Sequence, residues 1–199
     1  MKRTTAWIIG LLAAATLGCA TRPASDADAG WITLVDGTSN LNAWTRVGEA
    51  NWRLQDGVLQ ADLGGKEPGY LVTRQAYGDF QIRAEFWVDS QTNSGIFIRC
   101  ENPQSISSKT GYEVNIWDTR PDPTYGTGAI VDVAKVVPMP RAGGQWNTYE
   151  ITARGPQLTV VLNGVQTANA RDARHARGHV ALQYGSGIVK FRKVQIRPL

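Results

Sequence analysis

The fold of this chain is decided by two neighbouring stretches, Asn93-Ser94-Gly95-Ile96-Phe97-Ile98-Arg99 and Gly111-Tyr112-Glu113-Val114-Asn115-Ile116-Trp117-Asp118. In both, apolar residues alternate with polar or aromatic ones, which is the period of a β-strand with two different faces. The first predicted face is apolar and consists of Ile96, Ile98, Cys100, Tyr112, Val114 and Ile116. The second combines charged and amide groups with aromatic rings, from Asn93, Phe97, Arg99, Glu113, Asn115 and Trp117. Such a mixture suits a groove that binds a sugar.

Almost every other patterned segment also predicts a strand. Asp56-Gly57 and Asn163-Gly164 are strong two-residue hairpin signals between alternating segments. Further strands are predicted at 80–88, 94–100, 112–117, 147–153, 180–184 and 189–196, the last with a bulge near Arg192-Lys193. No segment has a sustained helical period. The sequence therefore predicts an all-β fold, an antiparallel sandwich of two sheets.

Two long loops flank the predicted strand that contains Glu113. One runs between Cys100 and Gly111, and the other runs from Thr119 to Pro140 and is interrupted by prolines and glycines. Long loops in a compact domain often carry function, so we expect both to wall the groove.

The first residues predict export. Lys2 and Arg3 precede an apolar run that ends at Gly18-Cys19, which is the pattern of a secretory signal and is too short to span a bilayer comfortably. Thr16-Leu17-Gly18-Cys19 resembles a bacterial lipobox, which makes Cys19 the lipidated N-terminus. The alternative is an ordinary signal peptide with an incidental cysteine.

We therefore divide the chain into a lipoprotein signal peptide (1–18), a tether (19–29) and one domain (30–199). Because Ala20 is not Asp, nothing is expected to retain the protein at the inner membrane. The expected location is the bacterial cell envelope, lipid-anchored at the outer membrane and facing the periplasm or the exterior. The lipid anchor would be the protein's membrane contact.

Charge and cysteine content exclude some function classes. The formal net charge of +4 falls to +2 once Lys2 and Arg3 are removed (4 − 2), and no basic run is present, so nucleic-acid binding is not predicted. The two cysteines cannot form an intrachain disulfide if Cys19 is acylated, and Cys100 then reads as a buried small hydrophobe.

No motif predicts a metal site or a common nucleophile. HExxH, CxxC, a phosphate loop and GxSxG are all missing from the sequence. Asp118, Asp122 and Asp132 offer oxygen ligands for a divalent cation such as Ca²⁺. Their spacing is not that of an EF-hand, so loop capping is the preferred interpretation.

Several segments of the sequence resemble a known family, the secreted bacterial 3-keto-disaccharide (3-keto-glycoside) hydrolase domain. The resemblance spans the domain through Gly30–Gly37 with Leu41 and Trp44, Phe80–Phe86, Asn93–Arg99, Gly111–Ile116 with Asp118, Thr127–Ile130, Gln145–Asn147, Leu158–Gly164, Ala181–Gln183 and Phe191-Arg192. It implies a concanavalin-A-like jelly roll. The chain departs from the family pattern at Asn115, where Gln is expected, at Val131, where an aromatic residue is usual, and at Lys193, which replaces Asn.

The carboxylate spacing disfavours ordinary retaining hydrolysis. Jelly-roll glycosidases of that class use Glu-x-Asp-x-x-Glu, whereas this chain has Glu113-x-Asn115-x-x-Asp118. The middle acid is an amide, and Asp118 falls on the opposite strand face. A two-carboxylate mechanism needs both groups beside the anomeric carbon, and this sequence supplies one.

A 3-keto sugar needs less help, because its ketone acidifies the hydrogen on C2. We hypothesise that Glu113 is the base or acid, that Arg99 clamps the enolate or a hydroxyl, and that His179 reaches the rim as an acid. Hydroxyl contacts are expected from Asn93, Asn115, Asp118 and Gln183, and ring stacking from Trp87, Phe97 and Trp117.

Each assignment has a structural alternative. Arg99 and Glu113 could form a cross-strand ion pair, Trp87 could pack under a loop, and His179 could be a solvated residue at a strand start. His175 is expected at the surface, and Trp31, Trp44, Trp52 and Trp146 in the core or at the sandwich edge. At the level of function, the alternatives are a non-catalytic carbohydrate-binding or envelope scaffold module and a protein-interaction sandwich.

Overall fold

A computed structural model describes residues 28–38, 41–62 and 66–199, which form thirteen strands. The predicted signal peptide, the lipobox at Cys19 and most of the tether lie outside the described residues. The strands are β1 (Ile32–Val35), β2 (Trp44–Gly48), β3 (Asn51–Gln55), β4 (Val58–Asp62), β5 (Gly69–Thr73), β6 (Phe80–Val88), β7 (Asn93–Cys100), β8 (Tyr112–Ile116), β9 (Trp146–Arg154), β10 (Gln157–Leu162), β11 (Val165–Arg171), β12 (His179–Ser186) and β13 (Val189–Pro198).

The strands form two antiparallel sheets, which confirms the predicted all-β jelly-roll sandwich. One sheet has the order β11-β10-β9-β6-β13-β4-β3, with β1 added beside β13, and the other has the order β2-β5-β12-β7-β8. Both predicted hairpins are present, because β3 pairs with β4 around Asp56-Gly57 and β10 pairs with β11 around Asn163-Gly164. The bulge predicted in the last strand is also present, as a register shift between Phe191 and Lys193.

The core lies between the sheets and consists of the inward-facing residues of alternating strands. Ile96 and Ile98 of β7 and Tyr112, Val114 and Ile116 of β8 are buried there, as their alternation predicts. Trp44 and Trp52 also lie in this core. Burial of so much apolar surface is the main force that holds the two sheets together.

A bulge near the end of β7 changes the predicted facing of the last two residues. Phe97 pairs with Ala181 and Cys100 pairs with His179, so β7 has one residue more than β12 between these two pairs. Arg99 has a positive φ of 52°. The extra residue reverses the alternation beyond Ile98. The prediction that Cys100 shares the face of Ile98 is therefore wrong, since Cys100 packs with Phe97 on the outer side of the sheet.

Short 3₁₀ helices lie at Leu41–Ala43 and Pro123–Tyr125. Within the described ranges, no helix is long and apolar enough to cross a membrane. Segments 101–111 and 117–145 are largely irregular and flank β8 on both sides, as the loop prediction requires.

Candidate functional site

The outer face of the five-stranded sheet presents two parallel rows of side chains, defined by the register of its strands. The first row crosses the sheet through Val47, Tyr70, Gln183, Gly95 and Asn115, and the second through Thr45, Val72, Ala181, Phe97 and Glu113. The second row is mainly apolar, and Ile106 of the 101–111 loop packs over its centre. Polar groups are concentrated near β8, which makes this end of the sheet the candidate site.

Glu113 is the central polar group of this site. Its side chain is half-buried and has no hydrogen bond or ion pair with any described residue. Burial raises the pKa of its carboxyl from 4.5 to about 7, opposed by the nearby charge of Arg120 and reinforced by that of Asp132. A carboxyl with these properties can give and take protons near neutral pH.

Gly95 lies between Glu113 and Gln183. A Cβ atom placed at Gly95 would lie 3.1 Å from Gln183 Oε1 and 3.6 Å from Glu113 Cγ, so a larger residue at this position would crowd both polar groups. Gln183 is buried, and its Oε1 has no hydrogen-bond donor in the described structure. A buried carbonyl oxygen without a donor is costly, and a ligand hydroxyl could satisfy it.

Tyr70 lies on the other side of Gln183. Burial raises the pKa of its hydroxyl, the adjacent Gln183 amide lowers it, and the Glu113 charge raises it. Its ring packs edge-on against Phe97, with ring centroids 5.8 Å apart. Tyr70 therefore offers a hydroxyl close to the carboxyl, a contribution that the sequence did not reveal.

The loop that follows β8 contributes Trp117 and Arg120. The guanidinium carbon of Arg120 lies 5.4 Å from the centroid of the Trp117 ring, and Trp117 Nε1 donates a hydrogen bond to Thr119 Oγ1 at 3.2 Å. Arg120 also acts electrostatically on Glu113. Sequence reasoning missed this cation, although an arginine three residues after Trp117, in the loop that leaves the Glu113 strand, was a usable signal.

Arg99 does not lie in the candidate site, so its predicted placement beside Glu113 is wrong. The bulge directs its side chain away from the outer face, and only 1% of the side chain is exposed. Arg99 forms an ion pair with Asp79 at 2.9 Å and donates hydrogen bonds to the carbonyls of Gly78 and Gly155. These contacts also exclude the alternative of an Arg99–Glu113 ion pair.

Two of the predicted stacking residues are placed differently from expectation. Trp87 belongs to β6 of the eight-stranded sheet and faces outward there beside Lys190, so it is not part of the Glu113 surface. Phe97 does lie in the Glu113 row but is only 2% exposed, because Tyr70 and Ile106 pack over it. Phe97 therefore supports the site from below.

Asn115 and Asp118 make structural contacts and not the expected sugar contacts, and those of Asp118 are the loop-capping contacts that the sequence predicted. Asn115 is fully buried, and its Nδ2 donates to the Tyr125 carbonyl at 2.7 Å. Asp118 accepts hydrogen bonds from Thr127 Oγ1 at 2.6 Å and from the backbone N–H groups of Ala142 and Gly143. Both residues hold the 117–145 loop against the end of the sheet.

Asn93 lies at the start of β7, next to Gly185 of β12. A Cβ atom at Gly185 would be 2.9 Å from Asn93 Nδ2, so a glycine is needed at this close approach. Asn93 is half-buried and lies two residues from Gly95, on the same side of the strand. It remains a candidate contact for a sugar hydroxyl.

His179 lies on the same sheet but far from Glu113. Glu113 lies in one row with Phe97 and Ala181, two strand spacings away from β12. His179 lies two residues along β12 from Ala181. Together these separations place the Cα atoms of His179 and Glu113 about 12 Å apart. Its Nδ1 is 2.7 Å from the Thr73 carbonyl, and the ring borders a cavity of about 190 Å³. A carbonyl can only accept, so Nδ1 donates this hydrogen bond.

His175 is not the surface residue that the sequence suggested. It is 6% exposed, its Nδ1 lies 3.0 Å from Glu101 Oε1, and its backbone N–H donates to the Tyr112 hydroxyl. It belongs to the buried contacts around Arg99, whose guanidinium donates to the His175 carbonyl.

The three loop aspartates do not converge. Asp122 caps the 3₁₀ helix at Pro123–Tyr125 through Thr124, and Asp132 accepts from Ser108 Oγ at 3.3 Å. In the part of the chain that the structure describes, no group of three His, Cys, Asp or Glu residues could hold a metal ion. The contacts of Asp118 and Asp122 are those of loop-capping residues.

Together, the fold and this surface define a jelly-roll domain of the glycosyl hydrolase-like and carbohydrate-binding class. The chain belongs to the family described as the 3-keto-alpha-glucoside-1,2-lyase-like domain, whose model matches residues 30–197. No curated protein sequence matches the chain significantly.

Several solved structures are similar to this chain in fold. A provisionally named glycosyl hydrolase from Parabacteroides distasonis has a TM-score of 0.72 at 18% identity, with 85% of this chain and 94% of that chain covered. The carbohydrate-binding module CBM66 from Bacillus subtilis has a TM-score of 0.63 at 15% identity, covering 78% and 95% of the two chains. The β-glucanase of Bacillus licheniformis has a TM-score of 0.62 at 13% identity, covering 85% and 99%. At these identities the similarity concerns the fold.

Proposed function

We propose that this protein cleaves the glycosidic bond of 3-keto-glycosides by elimination and hydration, on the outer face of the five-stranded sheet. The observation that carries the proposal is the Glu113 carboxyl, which is half-buried, without a hydrogen-bond partner among the described residues, and has a pKa raised to about 7. Such a group suits general acid–base catalysis at neutral pH. Membership in the 3-keto-alpha-glucoside-1,2-lyase-like family supports the substrate class.

One carboxyl is enough for this reaction because the substrate's ketone assists it. Glu113 removes the proton from C2, and the electron pair moves into the C3 carbonyl to give an enolate. The enolate then re-forms the carbonyl as a C1=C2 double bond forms and the C1–O bond breaks. The leaving alkoxide takes the proton back from Glu113, and water then adds its oxygen to C1 and a proton to C2. The net result is hydrolysis, with the carboxylate regenerated.

The remaining polar groups suit binding and charge stabilisation. Arg120 supplies a cation near Glu113 that would stabilise the enolate oxygen, the role first assigned to Arg99. The Gln183 carbonyl oxygen and the Tyr70 hydroxyl border the space above Gly95, where sugar hydroxyls would lie. Trp117 offers a ring for stacking beside Arg120.

A non-catalytic carbohydrate-binding module is the second candidate. The observation that favours it is the distance of His179, the predicted second acid, which lies about 12 Å from Glu113 along the sheet register. A binding module needs the same hydroxyl contacts and aromatic rings but no group that titrates near neutrality.

Release of 4-nitrophenol from 4-nitrophenyl 3-keto-α-glucoside, corrected for spontaneous elimination, separates the two candidates. We expect turnover by the unmodified protein and a loss of about 10²- to 10⁴-fold in kcat/KM for Glu113→Gln. Glu150→Gln is the matched control, because Glu150 is an exposed strand carboxylate on the other sheet. Saturable binding without turnover would establish the binding module, and undiminished turnover by Glu113→Gln would remove Glu113 from the mechanism.

A further inference from the structure

The outer face of the eight-stranded sheet, on the far side of the molecule from Glu113, carries a second row of ligand-type side chains. Strand register places Arg53, Gln60, Lys190, Trp87 and Trp146 side by side across β3, β4, β13, β6 and β9. With neighbouring strands about 4.8 Å apart, this row spans about 19 Å. Trp146 is exposed, and the other four side chains of the row are partly exposed.

Trp146, at the β9 end of this row, is its most exposed aromatic side chain. It is 37% exposed, although most large apolar side chains of the described residues are buried. The Arg192 guanidinium carbon lies 4.4 Å from the centroid of the Trp146 ring, and Lys190 Nζ lies 4.8 Å from that of Trp87. These cation–π contacts restrict the motion of both rings, which lowers the entropy cost of using them as binding surfaces.

A cavity of about 270 Å³ adjoins the exposed tryptophan. It is lined by Gln55, Asp56, Val58, Gln60, Trp146 and Lys190. Two amides, one carboxylate and one ammonium group therefore surround an aromatic ring, so donors and acceptors are available on several sides. Sugars present C–H groups on their ring faces and hydroxyls at their edges, and both features find partners here.

The charges of this surface favour a neutral ligand. Arg192 pairs with Glu85 and Arg53 pairs with Asp62, each at 2.5 Å, so these four groups cancel in pairs. The two charged groups that line the cavity, Lys190 and Asp56, have opposite signs. The lining therefore has no net charge that would select an acidic ligand.

From these observations we infer that the Trp146 face of the eight-stranded sheet is a second saccharide-binding site, which holds a neutral hexopyranose oligosaccharide across β13, β6 and β9. It contains no unpaired half-buried carboxyl like Glu113, so it binds a sugar chain and does not cleave it. The row is long enough for several consecutive sugar rings. The site and Glu113 lie on opposite outer faces of the sandwich, separated by the core, and the two surfaces share no residue.

Isothermal titration calorimetry with cellohexaose and maltohexaose tests the site, with oligogalacturonate as the acidic comparison. All titrations use the Glu113→Gln protein, so that neither turnover nor the Glu113 carboxylate contributes. We expect one of the two neutral hexasaccharides to bind, Trp146→Ala to weaken that binding at least about tenfold, and Trp146→Phe to retain most of it. Gln60→Ala should weaken it less, since it removes one hydrogen-bonding group.

Each remaining outcome overturns the inference. Absence of binding by both neutral hexasaccharides, unchanged affinity after Trp146→Ala, or binding of oligogalacturonate alone would show that this face is not a neutral saccharide site. Thermal unfolding of Trp146→Ala shows whether the variant is folded, and Trp146→Phe and Gln60→Ala report on the site if it is not. Turnover of the small 4-nitrophenyl substrate should be the same in Trp146→Ala and unmodified protein, so this test can fail independently of the proposed function.

Discussion

Arg99 and Glu113 are both charged residues removed from water, but only one of them is compensated. Arg99 gives hydrogen bonds to three backbone carbonyls and pairs with Asp79, so its burial is offset by good geometry. Glu113 has no comparable partner among the described residues, and its pKa rises as a result. An uncompensated carboxyl at the surface of a sheet costs stability, so this contrast assigns Arg99 to structure and supports the catalytic role proposed for Glu113.

Replacing Arg99 tests its structural role. Arg99→Met leaves the carbonyls of Gly78, Gly155 and His175 without their donor, and we expect a loss of about 2–4 kcal/mol in the free energy of unfolding. Urea denaturation measures this loss, with the exposed Arg154→Met as the control. Activity per folded molecule should be unchanged. A variant of normal stability but without activity would instead return Arg99 to the catalytic site.

The raised pKa of Glu113 predicts a pH-dependent change in stability. Because its folded pKa of about 7 lies above the ordinary value of 4.5, the protonated form favours folding, and this contribution is lost as pH rises through 7. Glu113→Gln keeps a neutral group at every pH. The variant should match the unmodified protein at pH 4 and be more stable by about 2 kcal/mol at pH 8.5, a value reduced for partial exposure.

Urea denaturation at the two pH values measures the difference. Glu150→Gln, which alters an exposed carboxylate of the other sheet, is the control variant. An equal effect of Glu113→Gln at pH 4 and pH 8.5 would mean that the carboxyl titrates normally and would weaken its assignment as a base.

The loop after β8 depends on contacts made by a single strand end. Asp118 receives hydrogen bonds from Thr127, Ala142 and Gly143, and thereby joins the beginning, middle and end of the 117–145 segment. Asn115 adds a hydrogen bond to the Tyr125 carbonyl. Since Arg120 and Trp117 belong to this loop, the position of both relative to Glu113 depends on these contacts.

Asp118→Ala should therefore loosen the loop without unfolding the sandwich. The substitution removes both carboxylate oxygens, so the N–H groups of Ala142 and Gly143 lose their acceptor. We expect hydrogen exchange at these two amides to accelerate about tenfold or more, while exchange in β6 and β13 stays unchanged. Asp122→Ala, which affects only the short 3₁₀ helix, is the control. Equal exchange in both variants would show that Asp118 does not hold the loop.

The sequence predicts most of the strands but only part of the candidate site. The strands depend on local signals, whereas the site depends on pairing between distant residues. Hairpins such as Asp56-Gly57 and the alternation of Phe80–Val88 are local signals, so both were predicted correctly. The outward facing of Trp87 follows from the same alternation, but its sheet depends on pairing between β6, β9 and β13, which distant residues decide. The Arg99 bulge is likewise a non-local feature, because it is defined against β12. One unpredicted bulge was sufficient to move a predicted catalytic group out of the site.

At the scale of the whole molecule, the two sheets carry two separate outer surfaces. The position of β1 determines on which sheet the N-terminal segment joins the domain. β1 is added to the eight-stranded sheet beside β13, and Trp31 lies just before it with its ring centroid 4.0 Å from the Arg83 guanidinium carbon. A tether that precedes residue 30 would therefore join the domain on the eight-stranded sheet. The Glu113 face belongs to the other sheet, so an anchor at Cys19 would leave it accessible to soluble substrates.

Lipid anchoring at Cys19, which the sequence predicts and the described residues do not include, is tested with the full chain in a bacterial host. We expect the unmodified protein to incorporate labelled palmitate and to sediment with the membranes, and Cys19→Ser to lose the label and move to another fraction. Cys100→Ser is the matched control. Cys100 is buried and its thiol pKa is raised to about 12, so it should not take up the label, and Cys100→Ser should be labelled like the unmodified protein. Turnover of the 4-nitrophenyl substrate per folded molecule should be equal in the anchored and released proteins, because the tether joins the domain away from Glu113. An unlabelled wild type, with the same location as Cys19→Ser, would instead identify an ordinary signal peptide with an incidental cysteine.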